Sequence, residues 1–322
     1  MRILTVANHV GSRGGLERTQ LANCRALADR GHEIDLLYVT PGDFLPEWQK
    51  LCRTTLRVPG FLPRRRQPLS SVAGVLRTTA AGARLRPQVL YVYRYWDLPY
   101  AALLGRLTGC PLVFHLCLPP PDRLPWWLRA ALVRVAATLS VSADTAMRWR
   151  ETGLPPDTVT VVLTGVDLGR FTPASDDQLC QGRAELKAGV DDVVILYAGR
   201  IGREKGLDVL VEAFLRLAAE RNDVRLVVVG SASLGADPED SERYAAELRA
   251  AAAQAPVTFL PGRPDVVDLL RCADVAVVPS LWPEPLARSV LEPLACGVPV
   301  VASQVGGNPE VLSGWLAGML VR

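Results

Sequence analysis

At 322 residues the chain is long enough for two domains of ordinary size. With 49% hydrophobic and 21% charged residues it has the make-up of a globular protein and not of a disordered or fibrous one. Its net charge of +3 sums two unequal halves: residues 1–165 hold 21 Lys+Arg against 11 Asp+Glu, so +10, and the remainder holds 15 against 22, so −7.

A basic first half fits an acidic partner or an anionic membrane surface, and nucleic acid is not expected among the partners. Arginine supplies nearly all of that charge, since Lys50, Lys187 and Lys205 are the only lysines, and this scarcity favours the competing explanation, a compositional habit of the genome. The seven cysteines (24, 52, 110, 117, 180, 272 and 296) form no C-x-x-C pair and have no histidine at ligand spacing, so they read as reduced thiols of a cytoplasmic protein without a metal centre. The N-terminus enters a strand directly, with no signal-peptide apolar core. The longest apolar runs, such as Leu107 to Pro121, are broken by Gly and Pro, so any membrane contact is peripheral, at the inner face.

Ile3 to Ala7 predicts a strand, Leu16 to Arg30 a helix and Glu33 to Val39 a strand, an alternation that argues for a parallel sheet covered by helices. Between the first two lie Gly14 and Gly15, which let backbone approach an anion at a helix start; a plain turn explains them equally well, and the spacing is not G-x-G-x-x-G. Phe61 to Ser71 is a proline-flanked basic loop containing Arg64–Arg66. Val89 to Tyr93 and Pro111 to Leu116 are strands, and His115 falls near the C-terminal end of the second, where open α/β sheets hold their ligands; a satisfied structural histidine explains it equally well. Trp126 and Trp127 open a helix with Arg129 and Arg134; together with the Arg64–Arg66 loop they are candidates for contact with an anionic membrane, and core packing is the competing explanation. Strands follow at Leu139 to Ser142 and Val159 to Leu163, then Thr164-Gly165-Val166-Asp167. The polar stretch Thr172 to Gln178 marks a boundary between domains 1–170 and 171–322.

The second half restarts the alternation. Val193 to Ala198 is a strand ending in Gly199-Arg200-Ile201-Gly202-Arg203-Glu204-Lys205-Gly206, before a helix from Leu207 to Glu220. Arg200 and Lys205, flanked by glycines at a strand end, can grip a diphosphate; a solvated turn is the competing explanation. Val224 to Gly230 is a strand, an Ala-rich helix runs to Gln254, and Val257 to Arg263 makes a strand and turn. Ala273 to Ser280 runs as a buried strand into Trp282-Pro283-Glu284-Pro285-Leu286-Ala287-Arg288. Pro285 suits a first helical position and Gly297 an end cap, and Pro299 to Ala302 is the next strand. On that reading Glu284 lies at the mouth of a helix, Glu292 lies two turns inside it, and the amides near Leu286, Ala287 and Arg288 form an anion site. Two carboxylates around an anion site suggest a nucleotide-sugar; a surface helix with a capping Glu is the competing explanation. Gly306-Gly307-Asn308 repeats the glycine-before-helix pattern.

In order along the chain, Gly14-Gly15, His115, Thr164-Gly165-Val166-Asp167, Gly199-Arg200 with Lys205-Gly206, Pro261-Gly262-Arg263, Glu284 with Glu292, and Gly297-Val298-Pro299 resemble the retaining glycosyltransferases of family four. The resemblance implies an α/β protein of the GT-B fold, with two Rossmann-like domains facing each other across a cleft: the first binds acceptor and the second an NDP-sugar donor such as a UDP- or GDP-sugar. It implies that Arg200 and Lys205 neutralise the donor diphosphate, Glu292 holds the ribose, Glu284 binds sugar hydroxyls, His115 reaches the sugar, Gly15, next to Gly14, approaches the phosphates, and Arg263 lies near the base. The expected enzyme is a metal-independent hexosyltransferase with no cofactor, transferring with retention to a glycan, lipid or small-molecule acceptor. A nucleotide-sugar epimerase and a non-catalytic sugar-nucleotide-binding subunit remain the alternatives. The chain departs from the family pattern at Thr164, where Asn is common, and at Pro293, where Ala is common and where a proline should kink the helix. It also ends at Arg322, where members commonly continue.

Overall fold

The structure is a computed structural model describing residues 1–321 apart from 12–13, 64–67, 155, 187, 233–236, 264 and 315–317. Arg64–Arg66 and Lys187 therefore lie outside the described residues. The chain forms two compact units, Met1–Leu163 and Thr164–Arg322. The junction falls at Leu163, against the expected 170/171, because Phe171 is buried in the core of the second unit, with Val166 packed against it.

The first unit runs β1 (Arg2–His9), α1 (Gly15–Asp29), β2 (Glu33–Thr40), α2 (Leu45–Leu51), β3 (Thr54–Arg57), α3 (Pro68–Arg84), β4 (Val89–Val92), α4 (Leu98–Thr108), β5 (Leu112–Leu116), α5 (Trp126–Leu132), β6 (Val135–Ser140), α6 (Ala143–Glu151) and β7 (Val159–Val161). Its seven-stranded sheet has the order β3-β2-β1-β4-β5-β6-β7, every pair parallel. The central strands β1, β2, β4 and β5 are mostly apolar because both faces are covered, whereas β3 and β7 at the edges are partly exposed. Leu4, Val6, Leu90, Val92 and Phe114 pack under α3, α4 and α5, whereas Ile3, Ala7, Ile34, Leu36 and Tyr91 pack with Leu21 and Cys24 of α1 and Trp48 of α2.

The second unit runs α7 (Asp176–Glu185), β8 (Val193–Ala198), α8 (Leu207–Glu220), β9 (Val224–Gly230), α9 (Pro238–Ala251), β10 (Val257–Pro261), α10 (Val266–Arg271), β11 (Val275–Val278), α11 (Arg288–Ala295), β12 (Val300–Ser303), α12 (Asn308–Leu312) and β13 (Gly318–Val321). Its sheet, β10-β9-β8-β11-β12-β13, is again wholly parallel. Leu196, Val227, Val229 and Ala276 bury one face against Leu269, Leu270 and Val290. Tyr197, Leu226 and Val228 bury the other against Leu207, Phe214 and Tyr244.

In each unit the strand order reverses beside the first strand, between β1 and β4 and between β8 and β11. Loops leaving neighbouring strands in opposite directions open a crevice at such a point. The β1–α1, β8–α8 and β11–α11 loops, which carry the glycine and carboxylate motifs, all sit there.

Candidate active site

Two loops of the second unit are locked together by missing side chains. Gly206 has a left-handed backbone (φ 64°), and a Cβ on it would lie 2.1 Å from the carbonyl oxygen of Pro279. A Cβ on Gly230 would meet the Gly199 carbonyl oxygen at 1.9 Å. Glycine at position 206 lets the β8–α8 loop lie against the end of β11, and glycine at 230 lets the end of β9 lie against the start of the same loop. The turn of 3-10 helix Arg203–Lys205 then delivers Lys205 to Glu284.

Lys205 Nζ donates to Glu284 Oε1, and Ser280 Oγ donates to the same oxygen at 2.6 Å. The Lys205 ammonium also stands 5.2 Å from the ring centre of Trp282, within cation–π range. Glu284 is only 6% exposed, and its backbone is fixed as well, since Gly307 N–H donates to its carbonyl at 2.8 Å. Gly306 makes that approach possible: it has φ 57°, and a Cβ there would fall 1.9 Å from the Glu284 carbonyl oxygen. The indole Nε1 of Trp282 is buried without a hydrogen-bond partner among the described residues.

Arg200 lies at the same strand end, with its guanidinium 3.2 Å from Glu204 Oε1 and its carbonyl accepting from Tyr197 Oη at 2.5 Å. Arg263 is held by Asp265 and Glu185, and its Nε donates to Asp265 Oδ1 at 2.6 Å. That contact pulls the Asp265 carboxyl down to about 2.

The expected helix start at Pro285 is corrected. Helix α11 begins at Arg288, with Ala287 in extended backbone before it (φ −74°, ψ 117°). Glu284, Pro285, Leu286 and Ala287 form a buried loop tied to Gly307, so the chain cannot start coiling until Arg288. Glu292 consequently lies one turn into the helix, not two, where its Oε1 accepts from Arg288 Nε at 2.9 Å. The helix continues through Pro293 and ends in a Schellman motif: Gly297 (φ 78°) donates to Leu294 O at 3.0 Å, and Val298 to Pro293 O at 2.9 Å.

In the first unit, Gly14 precedes α1 in extended backbone and Gly15 is its first residue. His115 of β5 is 4% exposed, stacks on Tyr93 with ring centres 5.1 Å apart, and places Nδ1 2.8 Å from Tyr91 Oη. Burial lowers its pKa to about 4, so the ring is neutral, and its Nε2 has no hydrogen-bond partner among the described residues. Nearby strand ends carry two further polar pairs that the sequence did not disclose. Arg94 and Glu17 form a half-buried ion pair, and Asn8 Nδ2 donates to Asp97 Oδ1 at 2.7 Å. Asp97 is buried, which pushes its carboxyl up to about 7 against the opposing pull of Arg94 and Asn8. Ser280 was also missed; its place four residues before Glu284 at a strand end was the available signal. Among the described residues no group of three or more His, Cys, Asp or Glu side chains is placed to hold a metal ion.

Two parallel Rossmann-like α/β units with polar loops at the strand-order reversals define the GT-B class of fold. Comparison with known proteins agrees. Residues 13–170 match Glycosyltransferase Family 4 and residues 181–322 match Glycosyl transferases group 1. The chain is 31% identical to D-inositol 3-phosphate glycosyltransferase 1 of Catenulispora acidiphila, over 97% of this chain and 79% of that one. It is 30% identical to the D-inositol 3-phosphate glycosyltransferase of Acidothermus cellulolyticus, over 97% and 75%. Among solved structures, Anabaena HepE in complex with UDP-glucose superposes with a TM-score of 0.83 at 22% identity, covering 100% of this chain and 85% of that one. Sucrose-phosphate synthase of Thermosynechococcus elongatus gives 0.79 at 22% identity, covering 100% and 86%. The chain belongs to the family-four, group 1 glycosyltransferases and is an enzyme of nucleotide-sugar glycosyl transfer.

Proposed function

We propose that the protein transfers a hexose from a nucleoside-diphosphate sugar to a hydroxyl acceptor with retention of anomeric configuration and without a metal. The observation that carries this reading is the Lys205–Glu284–Ser280 cluster, in which a fixed cation and a hydrogen-bonded carboxylate occupy one point at the strand-order reversal of the second unit. Lys205, with Arg200, supplies positive charge to the departing diphosphate as its negative charge develops, which is the form of stabilisation that a preorganised site gives most strongly. Glu284 accepts from sugar hydroxyls, and Glu292 on α11 accepts from the ribose. Within the first unit His115 is neutral, with Nε2 unpartnered among the described residues, a hydrogen-bonding group that carries no charge. The leaving phosphate oxygen serves as base for the acceptor hydroxyl, so no separate general base is required.

The relatives named for D-inositol 3-phosphate make that compound the first acceptor to try, beside free sugars and lipid-linked glycans. The thiols, free in all six described cysteines, suit a cytoplasmic enzyme. The test is turnover with a panel of UDP-, GDP- and ADP-sugars, with and without EDTA, followed by NMR of the product. An α-linked product from an α-donor, unaffected by EDTA, is expected. An inverted linkage, or activity that EDTA abolishes, overturns the mechanism.

A further inference from the structure

Helices α3, α4 and α5 lie side by side over one face of the first unit's sheet, α4 packing against both of the others. Their inward residues, Leu98, Leu104 and Leu128 among them, are fully buried. Their outward residues are unlike an ordinary solvated surface. Leu76 of α3 is 62% exposed, Leu107 of α4 64%, Trp126 of α5 80%, and Val133 just after α5 84%. Each has an exposed arginine close by in the chain: Arg77, Arg106, Arg129 and Arg134. The three helices contain no Asp or Glu at all. Among the described residues, none of these four arginines is paired with a carboxylate. Exposed arginines of the second unit behave differently, as with Arg203 between Asp240 and Glu247 or Arg221 with Asp223.

We propose that this outer face of α3, α4 and α5 is a docking surface for an anionic lipid bilayer. Arginines without acidic neighbours gain from the negative surface potential of such a bilayer, and large apolar side chains standing out between them gain from insertion at the headgroup boundary. Trp126 is the residue type best suited to that boundary, with an apolar ring and one polar N–H. The exposed apolar side chains favour a bilayer over nucleic acid, which would draw on the arginines alone. No described helix is long and apolar enough to cross a membrane, so the contact is a surface one. The assignment does not depend on the donor chemistry proposed above.

The test is co-sedimentation of the full chain with phosphatidylcholine vesicles, with and without phosphatidylglycerol, in the absence of any sugar donor. Binding to the anionic vesicles that weakens with added salt is expected, with neutral vesicles bound at least tenfold more weakly. Arg106→Glu with Arg129→Glu, and separately Trp126→Ser with Val133→Ser, should each reduce binding about tenfold or more, while circular dichroism and solution transfer activity stay unchanged. These positions are exposed, so the variants retain the core. Absence of vesicle binding, equal binding to neutral vesicles, or binding unchanged in both variants overturns the proposal. So does self-association, or duplex DNA binding, in place of vesicle binding.

Discussion

Lys205, from the loop after β8, and Glu284, from the loop after β11, share one hydrogen bond although they stand 79 residues apart in the chain. Both are largely buried, with side chains 15% and 9% exposed. A buried cation and carboxylate are each costly alone, and together they form a neutral pair that a charged substrate can reorganise. Lys205→Ala should reduce kcat/KM by at least about a hundredfold through lost charge stabilisation at the leaving group. Glu284→Gln should do the same, and each variant should also lower stability by roughly 1–3 kcal/mol, because each strands the partner's charge. Steady-state kinetics and thermal melts on both variants separate the two effects; full activity in both would remove this cluster from the reaction.

Ser280 holds the Glu284 carboxylate at a second donor. Ser280→Ala should cost about 1 kcal/mol of stability and about tenfold in transfer, with the loss appearing mainly in donor KM. An unchanged donor KM would show that Lys205 alone orients the carboxylate.

Gly306 is the buttress behind Glu284, and its left-handed backbone leaves no room for a side chain. Gly306→Ala should destabilise by more than about 1 kcal/mol and depress activity, because any relief moves the Glu284 backbone. Gly314, also left-handed but with no heavy atom of the described residues within 4 Å of where a Cβ would stand, provides the control. Gly314→Ala should lower the melting temperature modestly and leave the activity of the folded enzyme intact.

Asp97 gives a pH signature. The unfolded carboxyl ionises near 3.8, whereas burial holds the folded one protonated up to about 7. The Asp97 contribution to stability is therefore greatest below the first value, falls as pH rises between them, and levels off above the second. Asp97→Asn keeps an oxygen for Asn8 and removes the ionisation. Its melting temperature relative to the wild type should rise steadily from about pH 4 to about pH 7 and then stay level; a constant difference would mean that Asp97 is ionised throughout.

His115 acts in the opposite direction. Its folded pKa of about 4 lies below the unfolded value of 6.5, so its contribution is complete above 6.5 and is lost as pH falls towards 4. His115→Gln should flatten the acid limb of stability in that interval, measured by melts at fixed ionic strength. An unchanged limb would assign the acid sensitivity to other groups.

Much of the architecture was written in local pattern. Runs such as Val193 to Ala198 and Val224 to Gly230 are almost wholly apolar because their strands are covered on both faces, and α8, expected from Leu207 to about Glu220, forms over that stretch. Helices α3 and α4 were not legible, since Ala, Gly and Thr carry little periodic signal. Gly82, whose missing Cβ admits Leu104 and the Tyr100 hydroxyl at 2.9 Å, has meaning only once both helices are packed.

Local order along the chain was enough to establish the two parallel-sheet domains, the family, and Lys205, Glu284, Glu292 and His115 as the residues to test, because strand and helix periods and motif order are properties of neighbouring residues. It was packing in three dimensions that brought Lys205 to Glu284, delayed the start of α11 to Arg288, set Arg263 between two carboxylates, and buried Asp97 and His115 with shifted proton affinities. Those facts depend on which atoms approach through space and on the water they exclude, and neither is encoded at any single position of the chain.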